Sequence, residues 1–177
     1  MAGSEIVYVA RVDSTIGTLR VASTSAGLAY VELPRESGPG LRGRLRQVVP
    51  RAEVVEGFAP NRVAITQIQE YLEGKRMVFD LPLDLRGTAF QMAVWTALRE
   101  IPYGETRTYA EVARSVGRPR AVRAVGAANG ANPLALVVPC HRVIATGGKL
   151  GGYAGGLELK ARLLAMEQSH PKQGALL

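Results

Sequence analysis

Short apolar runs dominate the first third of the chain. Three of them, EIVYVARV, GTLRVAST and GLAYVELP, are rich in Val, Ile, Leu and Tyr, and the turn sequences DSTIG and SAG separate them. Apolar runs of this length between turn residues are typical of strands joined by tight turns. The pattern predicts a small antiparallel sheet of three strands at the N-terminus.

Helical spacing replaces this pattern further along. The segment LRGRLRQVV predicts a short basic helix next to a loop at 37–43 (SGPGLRG). Asn61 is a candidate N-cap for a clearer helix that ends at Gly74. The apolar face of that helix consists of Ile65, Ile68 and Leu72. FDLPLDL then predicts an extended connector, with a domain boundary near Arg86.

The second half is helical, and its helix ends are well marked. Thr88 with Gln91, and Thr108 with Glu111, have the spacing of capping boxes, in which an N-cap hydroxyl and a side chain three residues later satisfy two backbone N–H groups. Pro119 suits the first turn of a further helix through PRAVRAVGAAN. Two short helices joined by a glycine-containing turn predict a helix-turn-helix.

These elements predict an α+β chain of two domains. Residues 1–85 form an N-terminal domain with a small antiparallel three-stranded sheet and helices. Residues 86–177 form a mostly helical domain that contains the helix-turn-helix.

One face of the second helix in this pair is unusual for a solvated surface. The face consists of Arg120, Arg123, Ala124 and Ala127, whereas Val122, Val125 and Ala128 are predicted to pack inward. Small residues let a helix backbone approach another surface closely, and an arginine beside them can enter a DNA groove. The pattern indicates a DNA-contacting face, although helix pairs also occur as plain packing units.

The charge distribution agrees with a polyanionic partner. The chain has 22 Lys and Arg against 15 Asp and Glu, a net charge of +7. Residues 1–85 have 10 of each, so the whole excess lies in residues 86–177, with 12 basic and 5 acidic residues. A basic half of this kind favours nucleic acid, while a merely solvated basic surface remains open.

The numbers of Cys and His residues limit the disulfides and metal sites that the chain can form. One Cys and two His exclude an internal disulfide and argue against a structural zinc site. No apolar run approaches the ~20 residues of a membrane span, and the N-terminus lacks the pattern of a signal peptide. We expect a cytoplasmic, monomeric protein with a free thiol, no metal and no cofactor.

The single thiol lies in the stretch VVPCHRVIATGG. A strand-like run, LALVV, ends at Pro139 and is expected to present Cys140 at the end of an element. If the backbone turns, or if a water bridges the two groups, His141 can act as base and generate the reactive thiolate. The last helix is expected to bury Leu157, Ala161 and Leu164, with Glu167 at the edge of that face. An inert buried thiol and a solvated glutamate remain open at this point.

Several motifs together resemble the O6-alkylguanine-DNA alkyltransferases. They are PCHRVI, the GGYAGGLELKARLLAMEQ segment after it, GANP before it, and GTAFQMAVWTALREIPYGETRTYAEVA. The resemblance is close over residues ~79–168 and loose in the N-terminal part. It implies double-stranded DNA that contains alkylated guanine as partner. It also implies a base flipped out of the duplex and irreversible alkyl transfer to one cysteine, once per molecule. Activity on O4-alkylthymine stays open.

The resemblance also implies roles for individual residues. Cys140 is the alkyl acceptor, His141 draws its proton through a water, and Glu167 polarises His141. The remaining expected site residues are Tyr109 as donor to the leaving guanine, Asn132 as brace of the turn behind the cysteine, Arg123 in the space left by the flipped base, and Pro139, Val143, Tyr153, Ala154 and Gly155 around the pocket.

Two departures from the family pattern stand out. Ala154 occupies a position where other members often have serine, and residues 1–85 contain neither Cys nor His, so an N-terminal zinc site of the kind found in some members cannot form. Two other interpretations predict different outcomes. A helix-turn-helix regulator with an inert thiol binds DNA without removing alkyl groups, and a Cys-His-Glu hydrolase turns over an ester or amide.

Overall fold

The structure, a computed structural model, describes residues 3–36 and 38–170. They fall into two compact units. The first combines Met1–Gly87 with the segment Pro133–Val137, and the second combines Thr88–Asn132 with Val138–Leu177. No helix in the described ranges is long and apolar enough to cross a membrane.

The first unit is built on a sheet. Strands β1 (Ile6–Ser14), β2 (Gly17–Thr24) and β3 (Gly27–Glu32) form the predicted antiparallel meander. A fourth strand, β4 (Glu53–Glu56), pairs parallel to β1, so that the sheet order is β3-β2-β1-β4. The predicted α+β class is confirmed, and the sheet has one strand more than predicted. Four residues with a glutamate at each end give too little alternation to reveal a strand.

Two helices accompany this sheet. Helix α1 (Gly40–Val48) is the predicted basic helix, and it begins three residues before the end of the loop predicted at 37–43; Ser37 lies outside the described residues. Helix α2 (Arg62–Leu72) is followed by Gly74 with a left-handed φ of 74°. Leu41 and Leu45 of α1 join a core whose other members are Val7, Val9, Ala22, Tyr30 and Val49.

Asn61 precedes α2 as predicted, but its side chain does not cap the helix. The fully buried amide instead donates to the carbonyl oxygens of Tyr8 at 2.9 Å and Gly57 at 2.8 Å. Its oxygen accepts from the Ser23 hydroxyl at 2.7 Å. Asn61 therefore connects β1, β2 and the approach to α2, which sequence spacing alone could not indicate.

The connector at 79–85 is extended along β3, as predicted. The N–H of Leu28 donates to the Pro82 carbonyl at 3.0 Å, and the N–H of Asp84 donates to the Leu28 carbonyl at 2.8 Å. Gly27, with φ of 145°, is needed at this close approach, because a Cβ atom there would lie 2.4 Å from the Pro82 oxygen.

The second unit begins with α3 (Ala89–Arg99), β5 (Arg107–Thr108) and α4 (Tyr109–Ser115). Both predicted capping boxes are confirmed, at Thr88 and at Thr108. Helix α3 buries Val94, Trp95 and Leu98.

Helix α5 (Val122–Gly130) completes the predicted helix-turn-helix, but it begins three residues later than predicted. Residues 118–121 form a turn in which the N–H of Ala121 donates to the Arg118 carbonyl at 2.8 Å. Arg120 is therefore in the turn and not on the helix face to which its spacing assigned it. Val122, predicted to pack inward, is 38% exposed at the helix start, whereas Val125 and Ala128 are buried as predicted.

The unit ends with β6 (Val143–Ile144), which pairs parallel to β5, and α6 (Leu157–Ser169). The buried face of α6 consists of Lys160, Leu163, Leu164 and Glu167. The prediction for Leu157 and Ala161 is therefore wrong, since Leu157 is 52% exposed and Ala161 is also exposed. The strand predicted at LALVV is wrong as well, because the segment turns and Leu136 has a left-handed φ of 74°.

Replacement of Asn61 by alanine should destabilise the protein strongly. The change leaves two buried carbonyls and one hydroxyl without hydrogen bonds, at a combined cost of about 2–4 kcal/mol. Urea denaturation followed by circular dichroism measures the loss in free energy of unfolding. The exposed Gln47→Ala variant is the control and should stay within about 0.5 kcal/mol. Similar values for both variants would contradict the role given to Asn61.

Candidate active site

Cys140 opens a short 3₁₀ turn, Cys140–Arg142, and is only 6% exposed. Its N–H donates to the Val138 carbonyl at 2.8 Å, and the Arg142 N–H donates to the Pro139 carbonyl at 3.0 Å. The backbone therefore turns at the thiol, which is the condition under which Cys140 and His141 were expected to cooperate.

Two asparagines hold this turn from behind, one in the last turn of α5 and one two residues after the helix ends. Asn132 donates its amide hydrogen to the Val138 carbonyl at 2.8 Å. Asn129, which the sequence analysis did not select, lies with its amide nitrogen 3.4 Å from the Cys140 carbonyl, a longer hydrogen bond. The backbone around the thiol is thus tied to the second helix of the helix-turn-helix.

His141 and Glu167 are both buried and hydrogen-bonded, with 2.7 Å between Nε2 and Oε1. Burial lowers the pKa of His141, and the hydrogen bond to Glu167 opposes this shift only in part. The imidazole is therefore neutral at neutral pH. A neutral ring that donates Nε2–H to a carboxylate has Nδ1 as its acceptor nitrogen. This is the tautomer that a base needs.

Arg142 is the buried partner that the sequence analysis missed. Its Nε lies 2.9 Å from Glu167 Oε2, and one terminal nitrogen lies 2.8 Å from Oε1. The other terminal nitrogen donates to the Ile101 carbonyl at 2.8 Å, and the guanidinium stacks 5.6 Å from the centre of the Tyr103 ring. Nothing in the spacing of PCHR distinguishes this arginine from an exposed one.

The Glu167 carboxylate is consequently a strongly held anion. Burial alone raises its pKa, but hydrogen bonds from His141 and Arg142 outweigh burial and bring the pKa to about 2. The N–H of Gly104 adds a further hydrogen bond at 3.2 Å. A carboxylate with this many donors stays charged and orients the imidazole.

Tyr109 is the first residue of α4, directly after the capping residue Thr108. The β5–β6 pairing brings this helix start beside the chain that follows Cys140. Burial raises the pKa of the Tyr109 hydroxyl, as does negative charge on Cys140, while a hydrogen bond from the Gly152 backbone opposes them. At neutral pH the phenol therefore keeps its proton and can donate it. Gly151 passes so close that a Cβ atom there would lie 2.8 Å from the hydroxyl.

The expected pocket residues lie in two segments. Pro139 and Val143 are buried on either side of the cysteine turn, and the Val143 carbonyl accepts from Lys160 Nζ at 2.6 Å. Tyr153 begins a turn closed by Gly156 N–H at 3.0 Å, and its ring centre lies 6.4 Å from that of His141, edge to face. Ala154 is exposed and Gly155 is half-buried within that turn.

The predicted DNA-contacting residues are all exposed. Arg123, Ala124 and Ala127 lie on the open face of α5, and Arg120 lies in the turn before it. The opposite face is fixed by buried Val125 and by the Trp95 indole, which donates to the Ala128 carbonyl at 2.8 Å. An arginine flanked by small residues therefore faces outward on a firmly packed helix.

The described residues contain no group of three or more His, Cys, Asp or Glu side chains placed to hold a metal ion. What the arrangement offers is a thiol nucleophile, a neutral imidazole oriented by a carboxylate, and a phenol that can protonate a leaving group. This combination can transfer a carbon group to sulfur.

Acid should destabilise the protein through His141 and Glu167. Both groups have lower pKa values in the folded state than in the unfolded chain, so the unfolded state takes up protons first. Stability should begin to fall below about pH 6.5 through His141. It should fall more steeply from about pH 4.5 towards pH 2, where Glu167 alone accounts for about 3 kcal/mol. Urea denaturation at a series of pH values measures this.

Glu167→Gln and the exposed Glu158→Gln, both on α6, form a matched pair for this measurement. Glu167→Gln should lower stability at pH 7 by about 3 kcal/mol, since it breaks a buried ion pair, and should flatten the fall below pH 4.5. Glu158→Gln should follow the wild type. If Glu167→Gln loses as much free energy of unfolding below pH 4.5 as the wild type does, the role assigned to Glu167 is wrong.

Comparison with known proteins identifies the family. A family model described as "6-O-methylguanine DNA methyltransferase, DNA binding domain" matches residues 89–169. A methylated-DNA–protein-cysteine methyltransferase of Methanosarcina barkeri is 46% identical over 93% of this chain and 99% of its own length. A protein of the same name from Mycolicibacterium paratuberculosis is 48% identical over 90% of this chain and 91% of its own length.

The fold of the chain is also similar to that of a solved structure. The crystal structure of Mycobacterium tuberculosis OGT in complex with DNA has a TM-score of 0.79 and 42% identity, and the match covers 92% of this chain and 94% of that one. The likeness extends through both units. The chain therefore belongs to the methylated-DNA–protein-cysteine methyltransferases, a family of DNA-repair enzymes.

Proposed function

We propose that the chain repairs double-stranded DNA by taking the alkyl group of O6-alkylguanine onto Cys140. The bond from sulfur to the alkyl carbon forms as the bond from that carbon to guanine O6 breaks. The thioether has no route back, so each molecule acts once. The buried Cys140, His141 and Glu167 arrangement is the observation that carries this proposal. O4-alkylthymine, whose alkyl–oxygen bond is similar, is a second substrate to assay.

The proton of the thiol leaves toward His141. The Nδ1 acceptor and the Nε2–H bond to Glu167 suit a base that draws this proton through a bridging water. Arg142 keeps Glu167 ionised and in place. Glu167 is a positioning residue in this scheme, because it acts on the reaction only through the imidazole.

The departing guanine takes a proton from Tyr109. Neutral guanine is a better leaving group than its anion, and a phenol with a raised pKa is a protonated donor at neutral pH. The proton balance closes when the proton taken up by His141 passes through solvent to Tyr109, so that one proton leaves Cys140, one reaches the guanine ring, and His141 and Tyr109 both end neutral.

The guanine pocket lies between the cysteine turn and the Tyr153–Gly156 turn. Pro139 and Tyr153 are its walls, and backbone groups of Cys140, Val143 and the Ala154–Gly155 turn recognise the base edge. The Val143 carbonyl accepts from Lys160 Nζ and keeps a second lone pair for this contact. Ala154 offers an N–H but no hydroxyl, so recognition at this position depends on the backbone.

Duplex DNA binds on the exposed face of α5, and the damaged base is flipped out. Arg123 is long enough to fill the gap, while Ala124 and Ala127 let the helix approach the minor groove. Arg120 contacts phosphate from the turn before the helix. Asn132 links this helix to the thiol turn.

Three further assignments accompany this function. We divide the chain into an N-terminal ribonuclease-H-like domain, residues 1–85, and an alkyltransferase domain, residues 86–177; the two compact units support a division near this point. The protein works as a monomer, because every group in the scheme belongs to one chain. It works in the cytoplasm, where a reducing environment keeps the thiol available.

Whole-protein mass spectrometry tests the proposal against its rivals. Incubation with duplex DNA that contains O6-methylguanine should add the mass of one CH₂ group to Cys140, once per molecule. A DNA-binding regulator would bind without any change in mass, and a hydrolase would release product repeatedly with an unmodified thiol. Either outcome would overturn the proposal.

Cys140→Ser should abolish the mass increase and leave affinity for duplex DNA within a few fold of wild type. A hydroxyl is a far weaker nucleophile than a thiolate at neutral pH, whereas the face of α5 is untouched. Fluorescence anisotropy measures binding, and mass spectrometry measures transfer. Stoichiometric repair by the serine variant would remove Cys140 from its role.

Arg123→Ala should separate duplex handling from chemistry. Loss of the gap-filling side chain should slow repair of duplex O6-methylguanine by roughly 10- to 1000-fold, as expected for a few kcal/mol of flipping energy. Reaction with the free base O6-benzylguanine needs no flipping and should stay within a few fold of wild type.

Arg99→Ala, which removes an exposed arginine from α3, is the charge-matched control for this experiment. It should change both rates by less than a few fold. Equal losses on duplex and free base in Arg123→Ala would mean that Arg123 supports the pocket or the fold, and its role in flipping would be withdrawn.

A further inference from the structure

Asn129 is a buried residue in the last turn of α5, and its side chain lies behind the cysteine turn. The residue is 6% exposed. Its amide nitrogen lies 3.4 Å from the Cys140 carbonyl oxygen, close to the upper limit for a hydrogen bond, whereas the Asn132 amide nitrogen lies 2.8 Å from the Val138 carbonyl oxygen. Of the two asparagines that hold the turn, Asn129 therefore forms the weaker hydrogen bond.

The other end of the Asn129 amide has no hydrogen bond. Asn129 Oδ1 is buried, and it accepts no hydrogen bond from any residue that the structure describes. Most buried amide oxygens have a partner, so this side chain is held by its one long contact. The backbone is held more firmly, because the Trp95 indole donates to the preceding carbonyl, that of Ala128, at 2.8 Å. Asn129 can therefore change partners by rotation of its side chain while α5 stays in place.

The Cys140 carbonyl already has two donors. One is the N–H of Val143, which closes the 3₁₀ turn, and the other is the Asn129 amide. A carbonyl oxygen has two lone pairs, so a third donor binds well only if it replaces one of these. The Cys140 N–H is engaged as well, with the Val138 carbonyl at 2.8 Å. A base that donates to the backbone of Cys140 must therefore displace the weaker donor, Asn129.

The two alkylated bases differ in what they offer to this carbonyl. O6-alkylguanine has an exocyclic amine, which donates hydrogen bonds, whereas O4-alkylthymine has a carbonyl oxygen at the corresponding position and no donor. The amine of guanine can take the place of Asn129. With O4-alkylthymine, Asn129 stays on the Cys140 carbonyl, so that the closed pocket contains no unpaired acceptor there. Without Asn129 the same base would bury an unpaired carbonyl, which is costly.

We propose that Asn129 is a specificity-determining residue that widens the range of bases the pocket accepts. It donates to the Cys140 carbonyl when the bound base has no exocyclic amine, and it yields this acceptor to the amine when the base has one. The protein therefore accepts O4-alkylthymine as well as O6-alkylguanine. This inference rests on the proposed function, in which the backbone of Cys140 recognises the edge of the base.

Two benzylated purines isolate the contact. O6-benzylguanine has the exocyclic amine, and 6-benzyloxypurine is the same molecule without it. Neither needs DNA, and each should transfer one benzyl group to Cys140, which whole-protein mass spectrometry detects. The variant is Asn129→Leu, which has nearly the shape of asparagine but no donor. Gln168→Leu, which removes an exposed amide from α6, is the control.

Asn129→Leu should increase the preference for O6-benzylguanine over 6-benzyloxypurine by roughly tenfold relative to wild type. The amine meets an acceptor without a competitor, whereas the purine that lacks the amine buries an unpaired carbonyl. The change should lie in the half-saturating concentrations and not in the maximal rates, because Asn129 does not touch the reacting atoms. Gln168→Leu should keep the wild-type preference. If Asn129→Leu also keeps it, even with both reactions slowed equally, Asn129 only supports the fold and the inference is rejected.

The same comparison on duplex DNA tests the range of substrates. Wild type should take methyl groups from O6-methylguanine and from O4-methylthymine. In Asn129→Leu, the rate with O4-methylthymine should fall by roughly tenfold more than the rate with O6-methylguanine. No transfer from O4-methylthymine to the wild type, or equal changes in both rates, would contradict the wider range.

Nuclear magnetic resonance of the Asn129 side-chain amide tests the exchange of donors without any reaction and without a substitution at Asn129. In Cys140→Ser, O6-benzylguanine should shift the signals of the Nδ2 hydrogens, and 6-benzyloxypurine should leave them near their values in the free protein. Signals that respond alike to both purines, or to neither, would overturn the exchange. If the signals respond as expected but no benzyl group reaches Cys140 in the wild type, the proposed function fails and the exchange stands.

Discussion

The hydrogen bonds and the salt bridge of the buried Glu167 carboxylate are the interactions on which the second unit depends. The carboxylate is 1% exposed, yet it is ionised, because donors from two distant parts of the chain converge on it. His141 and Arg142 reach it from the cysteine turn, and Gly104 reaches it from the loop before β5. Each of these contacts fixes one element around the thiol. Removal of the carboxylate would release the turn, the imidazole and a buried guanidinium at once.

This convergence provides what the proposed function requires of an enclosed thiol, namely charged and hydrogen-bonding groups in the interior beside it. An apolar surrounding alone would favour the neutral thiol and an inert cysteine. The interior of this unit instead contains one carboxylate, one guanidinium, one ammonium and one neutral imidazole. The cost of burying these groups is met by nearly complete hydrogen bonding, which also leaves the turn little freedom to move.

Local sequence patterns predicted the elements that have strong local causes. The strands of the meander, the capping boxes at Thr88 and Thr108, and the glycine after α2 all follow from short-range chemistry. The fourth strand was missed because EVVE has no alternation to display. The start of α5 was placed too early because Pro119 suits a helix start and a turn equally well. LALVV was predicted to be a strand because its residues favour strands. That preference carries no information about the backbone turn at Leu136.

The candidate reactive residues of the site could be predicted from the sequence, whereas the buried residues that hold them could not. PCHR and the distal glutamate identified Cys140, His141 and Glu167 through the family resemblance. Arg142 and Lys160 are charged residues in the interior, and apolar periodicity assigns such residues to the surface. On α6 the spacing of Leu157, Ala161 and Leu164 gave an apolar face, whereas the true inward face includes two charges. A buried ion is recognisable only when its partners, distant in sequence, are known.

Gly151 has a consequence that extends beyond its own loop. Its backbone occupies the space beside the Tyr109 hydroxyl that a methyl group would need. The loop is exposed and looks tolerant of variation, but the first carbon added at this position would displace the phenol on another element. Any side chain at residue 151 would therefore have to displace the Tyr109 ring, so that a substitution in this loop would change the position of a tyrosine on another element.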